Sequence, residues 1–466
     1  MEHVHLIGIG GSGLSAIATV LLERGYRVSG SDRQESPQTR RLVESGARIY
    51  YAHRAENIAG ANLVVRSSAV RDDNVEVLAA QAAGIPVLKR ADFLEQMLAG
   101  QKPIAIAGTH GKTTTTAMIA WVLTALGADP SYVIGGEAVN LGRNAHAGLG
   151  EFFVIEADEY DRMFLGIQPY LALVTNVEHD HPDCYPTPQD FYLAFREFTR
   201  QVQPGGLLVA CADDPGAAQL LAEAHLTGVK IVSYGIGAGP SDLQAVNLQP
   251  NPDGGLTFDV SRQDLPLVDQ VALQVPGEHN VRNALAVLCV VDRLGFDVKE
   301  AAKAVHQFRG AGRRFDVRGD FNGVTLIDDY AHHPTEIRAT LAAARMRYPR
   351  RRLWAVWQPH TFSRTQALFE AFANAFDAAD CVLVTEVFAA REAAPADGFS
   401  ARQVTDAIAA RDQNTGKIIL FAADLQDAAD QLALQLQPGD VTVVLSAGDA
   451  DWVTVELSRR LSEAGW

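Results

Sequence analysis

The sequence contains few cysteines and no long apolar run, and each shortage excludes a class of protein. The 4 cysteines lie far apart and never in a CxxC spacing, so they fit neither a disulfide framework nor a zinc site. No uninterrupted apolar stretch reaches the ~18 residues of a transmembrane helix, and the first residues lack the pattern of a signal peptide. We therefore expect a cytoplasmic protein that has no contact with a membrane.

Basic residues are scarce relative to acidic ones. The chain has 40 lysines and arginines against 56 aspartates and glutamates, which gives a formal charge of −16. Because a nucleic-acid surface needs basic side chains to neutralise phosphates, this balance argues against a nucleic-acid partner. The densest basic run, RMRYPRRR around Arg347, is interpreted as a solvated turn. No feature of the sequence indicates an oligomeric state.

Length and periodicity predict an α/β protein with three domains, because 466 residues exceed what one hydrophobic core supports. Residues 1–99 alternate strands and helices in the manner of a Rossmann-like domain, and MLAGQKP at their end is interpreted as a linker. Residues 100–314 add a meander of short antiparallel strands, which predicts a mixed sheet around a P-loop. Residues 315–466 alternate five apolar strands with helical stretches, which predicts a second Rossmann-like domain with a parallel sheet.

The first glycine-rich loop, GIGGSG, follows the first strand. Gly8, Gly10 and Gly13 give the spacing G-x-G-x-x-G, and Asp32 follows about 20 residues later, where an acid often binds a ribose hydroxyl. Such a loop at a helix N-terminus binds a diphosphate. NAD and a UDP-sugar satisfy this chemistry equally well, and a glycine turn without a ligand is the structural alternative.

The second glycine-rich loop, GTHGKT, lies between an apolar strand and a helix-like stretch. Gly111, Lys112 and Thr113 follow the G-K-T order of a P-loop, although position 106 is isoleucine and the loop is tightened at Gly108 instead. In such a loop the backbone N–H groups cradle phosphate oxygens, the lysine reaches the β- and γ-phosphates and the threonine binds Mg²⁺. The loop therefore predicts a nucleoside triphosphate as ligand.

An acid is needed to complete the metal site, and FFVIEADEYD places Glu156 at the end of an apolar strand. The following NVEHDHPDCY brings His179, His181 and Asp183 into the beginning of an HxHxDH metallohydrolase pattern, but Cys184 replaces its last histidine. A P-loop has no role in that mechanism. We therefore favour His181 as the partner of Glu156 at a second Mg²⁺, and we expect His179 to be exposed and without a role.

Amide and basic side chains follow in the second half of the chain. Asn280 and Asn283 lie on one face of a helix start, where amides match an adenine edge, although Asn280 fits a helix N-cap equally well. Arg314 lies in the stretch GAGRRF, at the hinge to the third segment. Strand ends of that segment then contribute the candidates Asp329, His332, His333, His360 and Arg364.

Ten motifs, in this order along the whole chain, resemble those of the Mur ligase family. They are GIGGSG, GTHGKTTTT, EADEYD, TNVEHDHPDCY, GEHNVRNAL, GAGRRFD, DDYAHHPTE, QPHTFSRT, TEVFAAREA and SAGD. The resemblance implies a UDP-binding N-terminal domain, a central ATPase domain and an amino-acid-binding C-terminal domain. It also implies ATP-dependent formation of an amide bond through an acyl phosphate, with ATP, UDP-N-acetylmuramate and L-alanine as small-molecule partners and two Mg²⁺ ions.

The same resemblance assigns roles to residues. The expected ATP-binding residues are Gly108, Thr109, His110, Gly111, Lys112, Thr113, Thr114, Asn280, Asn283, Arg314 and Asp329. The expected UDP-sugar-binding residues are Gly8, Gly10, Gly11, Ser12, Gly13, Asp32, Ser67 and Ser68. The expected amino-acid-binding residues are His332, His333 and Arg364. The expected metal ligands are Thr113, Glu156 and His181, and the expected catalytic residues are Lys112, Glu156, His181 and Arg314.

Two positions bear on the choice of substrate within the family. QPHTFSRT and TEVFAAREA favour the members that add L-alanine, whereas EADEYD, with Tyr160, also occurs in relatives that attach a recycled murein peptide. Thr361 stands where some relatives carry a second arginine, which bears on recognition of the alanine carboxylate. An NAD-dependent oxidoreductase is a less favoured alternative.

Overall fold

The computed structural model of the chain describes residues 2–225, 228–237, 239, 241–413 and 416–463. Within these ranges the strands form three sheets, of five, ten and six strands, which follow one another along the chain. This arrangement confirms the predicted α/β fold class with Rossmann-like outer domains and a mixed central sheet. The domain boundaries after residues 99 and 314 stay predictions.

The N-terminal domain is built on a five-stranded parallel sheet. Its elements are β1 (His3–Ile7), α1 (Ser12–Glu23), β2 (Arg27–Ser31), α2 (Pro37–Glu44), β3 (Arg48–Tyr50), a 3₁₀ turn (Ala55–Ile58), β4 (Leu63–Arg66), α3 (Val75–Ala82), β5 (Val87–Lys89) and α4 (Arg90–Leu98). The strand order is β3-β2-β1-β4-β5. The fully buried β1 lies at the centre, so the glycine loop after it lies at the carboxyl edge, where α/β sheets bind ligands.

Part of the predicted linker MLAGQKP belongs to regular structure. Met97 and Leu98 are the last residues of α4, and together with Phe93 and Leu94 they are buried. Apolar pairs four residues apart lie on one helix face, which explains why this short stretch folds against the domain. The linker therefore shrinks to residues 99–101.

The central domain is built on a ten-stranded mixed sheet. Its elements are β6 (Lys102–Ala107), α5 (Lys112–Ala125), β7 (Ser131–Ala138), β8 (Arg143–His146), β9 (Phe152–Glu156), a 3₁₀ turn (Tyr160–Gly166), β10 (Leu171–Val174), α6 (Pro188–Arg200), β11 (Leu207–Cys211), α7 (Pro215–His225), β12 (Lys230–Gly235), β13 (Leu243–Pro250), β14 (Leu256–Arg262), β15 (Leu265–Ala272), α8 (Glu278–Arg293) and α9 (Val298–His306). The antiparallel strands β13, β14 and β15 confirm the predicted meander. At its centre β6 pairs in parallel with β9 and β10, so the loops after these strands lie side by side.

The C-terminal domain is built on a six-stranded sheet. Its elements are β16 (Asp316–Phe321), β17 (Val324–Asp329), α10 (Pro334–Arg347), β18 (Leu353–Trp357), α11 (Phe362–Ala367), α12 (Phe369–Ala373), β19 (Cys381–Thr385), α13 (Ala401–Arg411), β20 (Ile418–Ala422), α14 (Leu425–Gln435), β21 (Val441–Leu445) and α15 (Asp451–Glu463). The five predicted strands are parallel, in the order β17-β21-β18-β19-β20. The antiparallel edge strand β16, which consists largely of charged and glycine residues, was not predicted from the sequence.

The basic run around Arg347 is only partly a solvated turn. Arg350 is exposed, but Arg351 donates hydrogen bonds to the carbonyl groups of Gly323, Gly439 and Asp440. Arg352 forms two hydrogen bonds with the Asp440 carboxylate. These guanidinium groups satisfy carbonyl groups of neighbouring loops, so part of the run stabilises the C-terminal domain.

Among the residues that the structure describes, none of the helices combines the length and the apolar character needed to cross a membrane.

Candidate active site

Loops that follow parallel strands of the central and C-terminal domains meet around a cavity of about 370 Å³. Gly111 and Asn280 line it from the central domain, and Asp329 lines it from the C-terminal domain. Arg314 lines it from the segment that connects the two domains. A concave site with a few convergent polar groups at a domain junction is typical of a small-molecule site.

The loop between β6 and α5 has the backbone of a phosphate-binding loop. Gly108 has φ 143° and Gly111 has φ 80°, which lie in the region that residues with side chains disfavour. A β-carbon at Gly111 would also lie 2.9 Å from the side-chain oxygen of Asn283. Helix α5 begins at Lys112 without a side-chain cap, so its first N–H groups can bind an anion.

Lys112 lies folded over this loop and is neutralised by an acid. Its ammonium group donates to the carbonyl oxygens of Gly108 (2.5 Å) and Thr109 (3.1 Å) and to Glu159 Oε1 (2.9 Å). Burial alone would lower the pKa of Lys112, but the charges of Glu159, Asp158 and Glu156, with the hydrogen bond to Glu159, together raise it. Lys112 is therefore a half-buried cation, with 14% of its side chain exposed.

Thr113 and Glu156 form the oxygen pair that the sequence predicts for a metal. The Thr113 hydroxyl donates to Glu156 Oε1 at 3.0 Å, and the Gly135 N–H donates to Glu156 Oε2 at 2.7 Å. Burial raises the pKa of Glu156, and the neighbouring Lys112 charge opposes it. A hydroxyl and a carboxylate side by side are ligands that Mg²⁺ accepts, so these residues fit the ion.

His181 lies beside Glu159 rather than beside its predicted partner Glu156. Its Nε2 is 3.6 Å from Glu159 Oε1 and 3.7 Å from Asp180 Oδ2, and its ring lies 5.1 Å from the Tyr160 ring. Burial alone would lower the pKa of His181, but the neighbouring carboxylates of Glu159 and Asp180 raise it. The backbone of His181 has φ 55°, a strained conformation that is concentrated at functional sites.

His179 is neither exposed nor unpartnered, so the prediction for it is wrong. The residue is half-buried, and its Nε2 lies 2.8 Å from the carbonyl oxygen of Tyr185. It thereby fixes the turn after β10 that carries His181.

A buried ion pair joins the central and C-terminal domains. Arg364, from α11, donates to both carboxylate oxygens of Asp180, at 2.8 Å and 3.2 Å, and both side chains are 5% exposed. Burial alone would raise the pKa of Asp180, but the Arg364 charge holds it well below its usual range. Thr361, which precedes α11 with φ 66°, donates its N–H to the Phe388 carbonyl group. The structure therefore ties the predicted amino-acid-binding arginine to the central domain.

A second contact between the two domains surrounds His110 of the phosphate loop. Its ring nitrogens lie 2.9 Å from Glu178 Oε2 and 3.2 Å from Glu336 Oε1, which belong to the central and C-terminal domains. Burial alone would lower the pKa of His110, but hydrogen bonds with the two carboxylates raise it to about 9. Arg314 Nη1 lies 3.7 Å from the same Glu336 oxygen. An imidazolium and a guanidinium therefore share one carboxylate at the cavity.

His332 lies on the side of the predicted amino-acid site. Its Nδ1 is 2.9 Å from the Tyr330 carbonyl oxygen, and its ring lies 5.9 Å from that of His360. His360 is in turn 3.1 Å from Arg364 Nη1. Burial lowers the pKa of His332 to about 3, so its imidazole is neutral near pH 7.

His333 lies against the phosphate loop instead. Its Nδ1 accepts a hydrogen bond from the Thr335 N–H, and its ring lies 4.8 Å from that of His110. Burial lowers the pKa of His333 to about 4. Its single proton is therefore on Nε2, because Nδ1 accepts a hydrogen bond.

His110, Glu178 and His333 are the only group of three ligand-type side chains that the described part of the chain brings within 4.8 Å. His110 Nε2 lies 2.9 Å from Glu178 Oε2, and His333 Nδ1 accepts a hydrogen bond from the Thr335 N–H, so these side chains already have protein partners. His179, His181 and Asp183 do not form such a group in the described ranges, so the metallohydrolase alternative is not supported.

The two asparagines of α8 line the cavity as predicted. The Asn283 amide donates to the Asn280 side-chain oxygen at 3.1 Å, and Asn280 donates to the Pro276 carbonyl oxygen at 2.8 Å. The N-cap of α8 is Gly277, so the alternative that Asn280 is the N-cap is wrong.

Asp329 ends β17 and organises the connection between the domains. Its two carboxylate oxygens accept hydrogen bonds of 2.7 Å from the N–H groups of Phe315 and Ala331. Burial raises the pKa of Asp329 to about 6, although the Arg314 charge opposes the shift. The predicted ATP contacts Arg314 and Asp329 therefore lie together at the cavity.

In the N-terminal domain, Asp32 forms a hydrogen bond with the glycine loop that follows β1. The Gly10 N–H donates to Asp32 Oδ2 at 2.8 Å, which engages one oxygen of the predicted ribose-binding carboxylate. Ser67 lies beside the loop, since a β-carbon at Gly8 would be 3.2 Å from the Ser67 β-carbon. Ser68 is exposed next to it. The predicted UDP-sugar residues thus surround one edge of the N-terminal sheet.

Sequence reasoning missed the acids that neutralise the cations of the cleft: Glu159, Asp180, Glu178 and Glu336. All four acids lie inside the motifs that resemble those of the Mur ligase family. The available signal was therefore the presence of a charged residue within such a motif. The sequence did not show which cation each acid pairs with, because the partners are far apart along the chain. Glu159 is 47 residues from Lys112, and Asp180 is 184 residues from Arg364.

The chain matches three family descriptions in succession. These are the Mur ligase family catalytic domain over residues 3–102, the Mur ligase middle domain over residues 106–291 and the Mur ligase glutamate ligase domain over residues 313–448. A Roseiflexus protein (strain RS-1) named UDP-N-acetylmuramate–L-alanine ligase is 46% identical over 460 residues, which cover 96% of each chain. A Geobacter sulfurreducens protein of the same name is 42% identical and covers 96% of this chain and 95% of its own.

Solved structures of similar proteins share the whole architecture. The UDP-N-acetylmuramate-alanine ligase of Thermotoga maritima has a TM-score of 0.83 and 29% identity, with all of both chains covered. A murein peptide ligase of Psychrobacter arcticus has a TM-score of 0.72 and 27% identity, also over all of both chains. The MurF ligase of Thermotoga maritima in complex with ADP has a TM-score of 0.65 at 17% identity over 96% of this chain and 99% of that one, which shows the fold alone.

We expect the contacts of His110 to weaken as the pH rises. Because the pKa of His110 is raised from 6.5 to about 9, its contribution is complete below pH 6.5 and is lost as the pH rises through about 9. The contribution is at most about 3 kcal/mol. The variant His110→Gln keeps a hydrogen-bond donor and removes the titration. The native chain should exceed the variant in melting temperature more at about pH 6 than at about pH 10, and an equal difference would contradict this.

Asp180→Asn should open the cleft between the central and C-terminal domains. The substitution keeps the shape of the side chain but leaves the buried Arg364 charge unpaired, which costs about 3–5 kcal/mol. Separation of the domains would hydrate the guanidinium, so X-ray scattering should show a larger radius of gyration. Arg318→Met, in the exposed pair with Asp316, is the control and should change nothing. A radius unchanged by Asp180→Asn would refute the expectation.

Proposed function

The chain belongs to the Mur ligase family, and we propose that it uses ATP to join L-alanine to the lactyl carboxylate of UDP-N-acetylmuramate, a step of peptidoglycan precursor synthesis. The observation that carries the proposal is the similarity to curated ligases of this name, which reaches 46% identity over 96% of the chain. The cleft supports it separately, because the phosphate loop, the two asparagines of α8, Arg314 and Asp329 of the C-terminal domain line one cavity there. The cytoplasm, where ATP is available, stays the expected compartment.

ATP is assigned to the cavity between the central and C-terminal domains. Its phosphates would lie on the loop Gly108–Thr114, within reach of Lys112, and its base beside Asn280 and Asn283. Arg314 and Asp329 would close the site from the opposite side. The support is that both asparagines, Arg314 and Asp329 line one cavity together with Gly111.

One Mg²⁺ is assigned to Thr113 and Glu156, whose oxygens already lie 3.0 Å apart. For the second ion we propose Glu156 and His181 together with Glu159, because Glu159 Oε1 lies 3.6 Å from His181 Nε2. Bound Mg²⁺ supplies positive charge that offsets the charge of the phosphates. The residues themselves would orient the phosphate loop and hold Lys112 in place.

The proposed chemistry solves a leaving-group problem. A carboxylate does not acylate an amine directly, because its oxygen is a poor leaving group. Transfer of the γ-phosphoryl group of ATP to the lactyl carboxylate gives an acyl phosphate, and the neutral amine of L-alanine then attacks its carbonyl carbon. The tetrahedral intermediate collapses to the amide and releases phosphate. Lys112 and Arg314 would stabilise the charge on the transferring phosphoryl group.

Water must be excluded while the acyl phosphate exists, since this intermediate hydrolyses readily. The pair Asp180–Arg364 and the contact between His110 and Glu336 hold the third domain against the phosphate loop. L-Alanine is assigned to the side of this closure where Arg364 and His332 lie. His333 packs on His110 instead, and through that contact it would position the phosphate loop.

A substrate panel tests the proposed function. The chain would be mixed with ATP, Mg²⁺ and either UDP-N-acetylmuramate or UDP-N-acetylglucosamine, and with L-alanine, D-glutamate or a murein tripeptide. Phosphate release should require UDP-N-acetylmuramate together with L-alanine. Release only with the tripeptide would show the recycling ligase instead, and NAD reduction without ATP turnover would show the oxidoreductase.

Lys112→Met should lower the rate of phosphate release by on the order of 10²–10³-fold, because it removes one charged donor from the transferring phosphoryl group. Steady-state kinetics would measure the change. Lys102→Met is the matched control, since Lys102 lies at the other end of β6 in an exposed pair with Glu151 and should keep the native rate. Full activity of Lys112→Met would contradict the assignment of the phosphate loop.

A further inference from the structure

Arg90, the first residue of α4, lies directly on the glycine loop of the N-terminal domain. A β-carbon added to Gly13 would lie 1.9 Å from Arg90 Nη1 and 3.1 Å from its Cζ. The guanidinium therefore occupies the space that a side chain at position 13 would take. The third glycine of the G-x-G-x-x-G pattern thus makes room for an arginine.

The guanidinium of Arg90 has unused hydrogen-bonding capacity. Within the described part of the chain its one ion-pair partner is Asp158, with Nη2 and Oδ2 3.8 Å apart, and it donates no hydrogen bond. Arg364, by contrast, forms a two-pronged pair with Asp180. A guanidinium carries several N–H donors in a rigid fork, and a side chain that is only 22% exposed satisfies few of them with water.

A small cavity links this arginine to the predicted metal site. It has a volume of about 80 Å³, and Ser12, Gly13, Arg90, Glu156 and Asp158 line it. The glycine loop lies at one end and the magnesium-type carboxylate at the other. Arg90 therefore lies between the predicted diphosphate site and the predicted site of phosphoryl transfer.

We propose that Arg90 binds the diphosphate of the UDP-linked substrate, an inference that rests on the proposed function. Arginine binds phosphate oxygens through two parallel hydrogen bonds. Diphosphate oxygens would replace Asp158 as the partner of Arg90. The lactyl carboxylate is the other anion of the substrate, but the guanidinium lies against Gly13 rather than against Lys112, which favours the diphosphate.

Arg90 also offsets an unfavourable charge. Glu156, Asp158, Glu159 and Asp161 follow one another within six residues of sequence and would repel an anionic substrate that enters between the N-terminal and central domains. A cation on the glycine loop counters this repulsion where the substrate must pass.

Calorimetric titration with UDP alone tests the inference without turnover. Arg90→Met keeps the length of the side chain and removes the charge, and it should weaken UDP binding by about 10- to 100-fold, the value of a charge-assisted hydrogen bond. Arg90→Lys should recover part of the affinity, because it keeps the charge and loses the fork. Arg40→Met is the control, since Arg40 lies in the same domain in an exposed pair with Glu35, and it should bind as the native chain does.

Three ligands separate the possible roles of Arg90. An equal loss for UDP, UDP-N-acetylglucosamine and UDP-N-acetylmuramate supports the diphosphate contact. A loss confined to UDP-N-acetylmuramate overturns it in favour of the carboxylate, and no loss for any ligand overturns it in favour of packing alone. Native UDP binding without alanine turnover would refute the proposed function and leave this test intact.

A second variant keeps the inference testable should Arg90→Met fail to fold. Asp158→Asn removes the partner that competes with the diphosphate and retains the guanidinium. It should tighten UDP binding by a few-fold, measured by the same titration. Weaker binding would overturn the proposal, because it would mean that Asp158 has to hold Arg90 in place.

Discussion

Three cations of the cleft, Lys112, Arg364 and His110, have side chains that are at most 14% exposed, and a charge held away from water is strongly unfavourable when it is unpaired. Each is therefore neutralised by an acid of the protein: Lys112 by Glu159, Arg364 by Asp180, and His110 by two carboxylates. Two of these pairings cross from the central to the C-terminal domain. These two contacts hold the C-terminal domain against the central domain.

The same pairing prepares the site for anionic substrates. Side chains that are already charged and held by acids need little reorganisation when phosphate oxygens arrive, and preorganised charge is the main source of catalytic stabilisation. The raised pKa of Lys112 and of His110 keeps both groups protonated near pH 7. Each cation can then exchange its acid partner for an anionic group of the substrate, as proposed for Arg90 and Asp158.

The sequence predicted the parts of the fold whose causes are local. The order strand, glycine loop, helix around Lys112 was correct because glycine backbone freedom and apolar periodicity act over a few neighbours. The antiparallel meander and the five parallel strands of the third domain were predicted for the same reason. The edge strand β16 was missed because its charged residues carry no apolar alternation, and α4 was missed because its nine residues give a short pattern.

Side-chain partners were harder to predict than elements. The cap of α8 proved to be Gly277 rather than Asn280, and His179 proved to be half-buried rather than exposed. In both cases the residue type allowed two environments, and only the packing around it selected one. Thr113 and Glu156 do lie side by side, because β6 and β9 are neighbours in one parallel sheet and both residues lie at its carboxyl edge; their role as metal ligands stays a prediction.

The sequence by itself determined which chemical groups the chain carries: two glycine loops of the kind that binds anions, an acid at a strand end and basic residues in the third segment. Only the tertiary structure decided which charges meet, that His332 and His333 lie in different sites and that Arg90 lies on Gly13. The physical reason is distance along the chain. Loop geometry depends on adjacent residues, whereas contacts such as Asp180–Arg364 depend on how three separately folded domains close on one another.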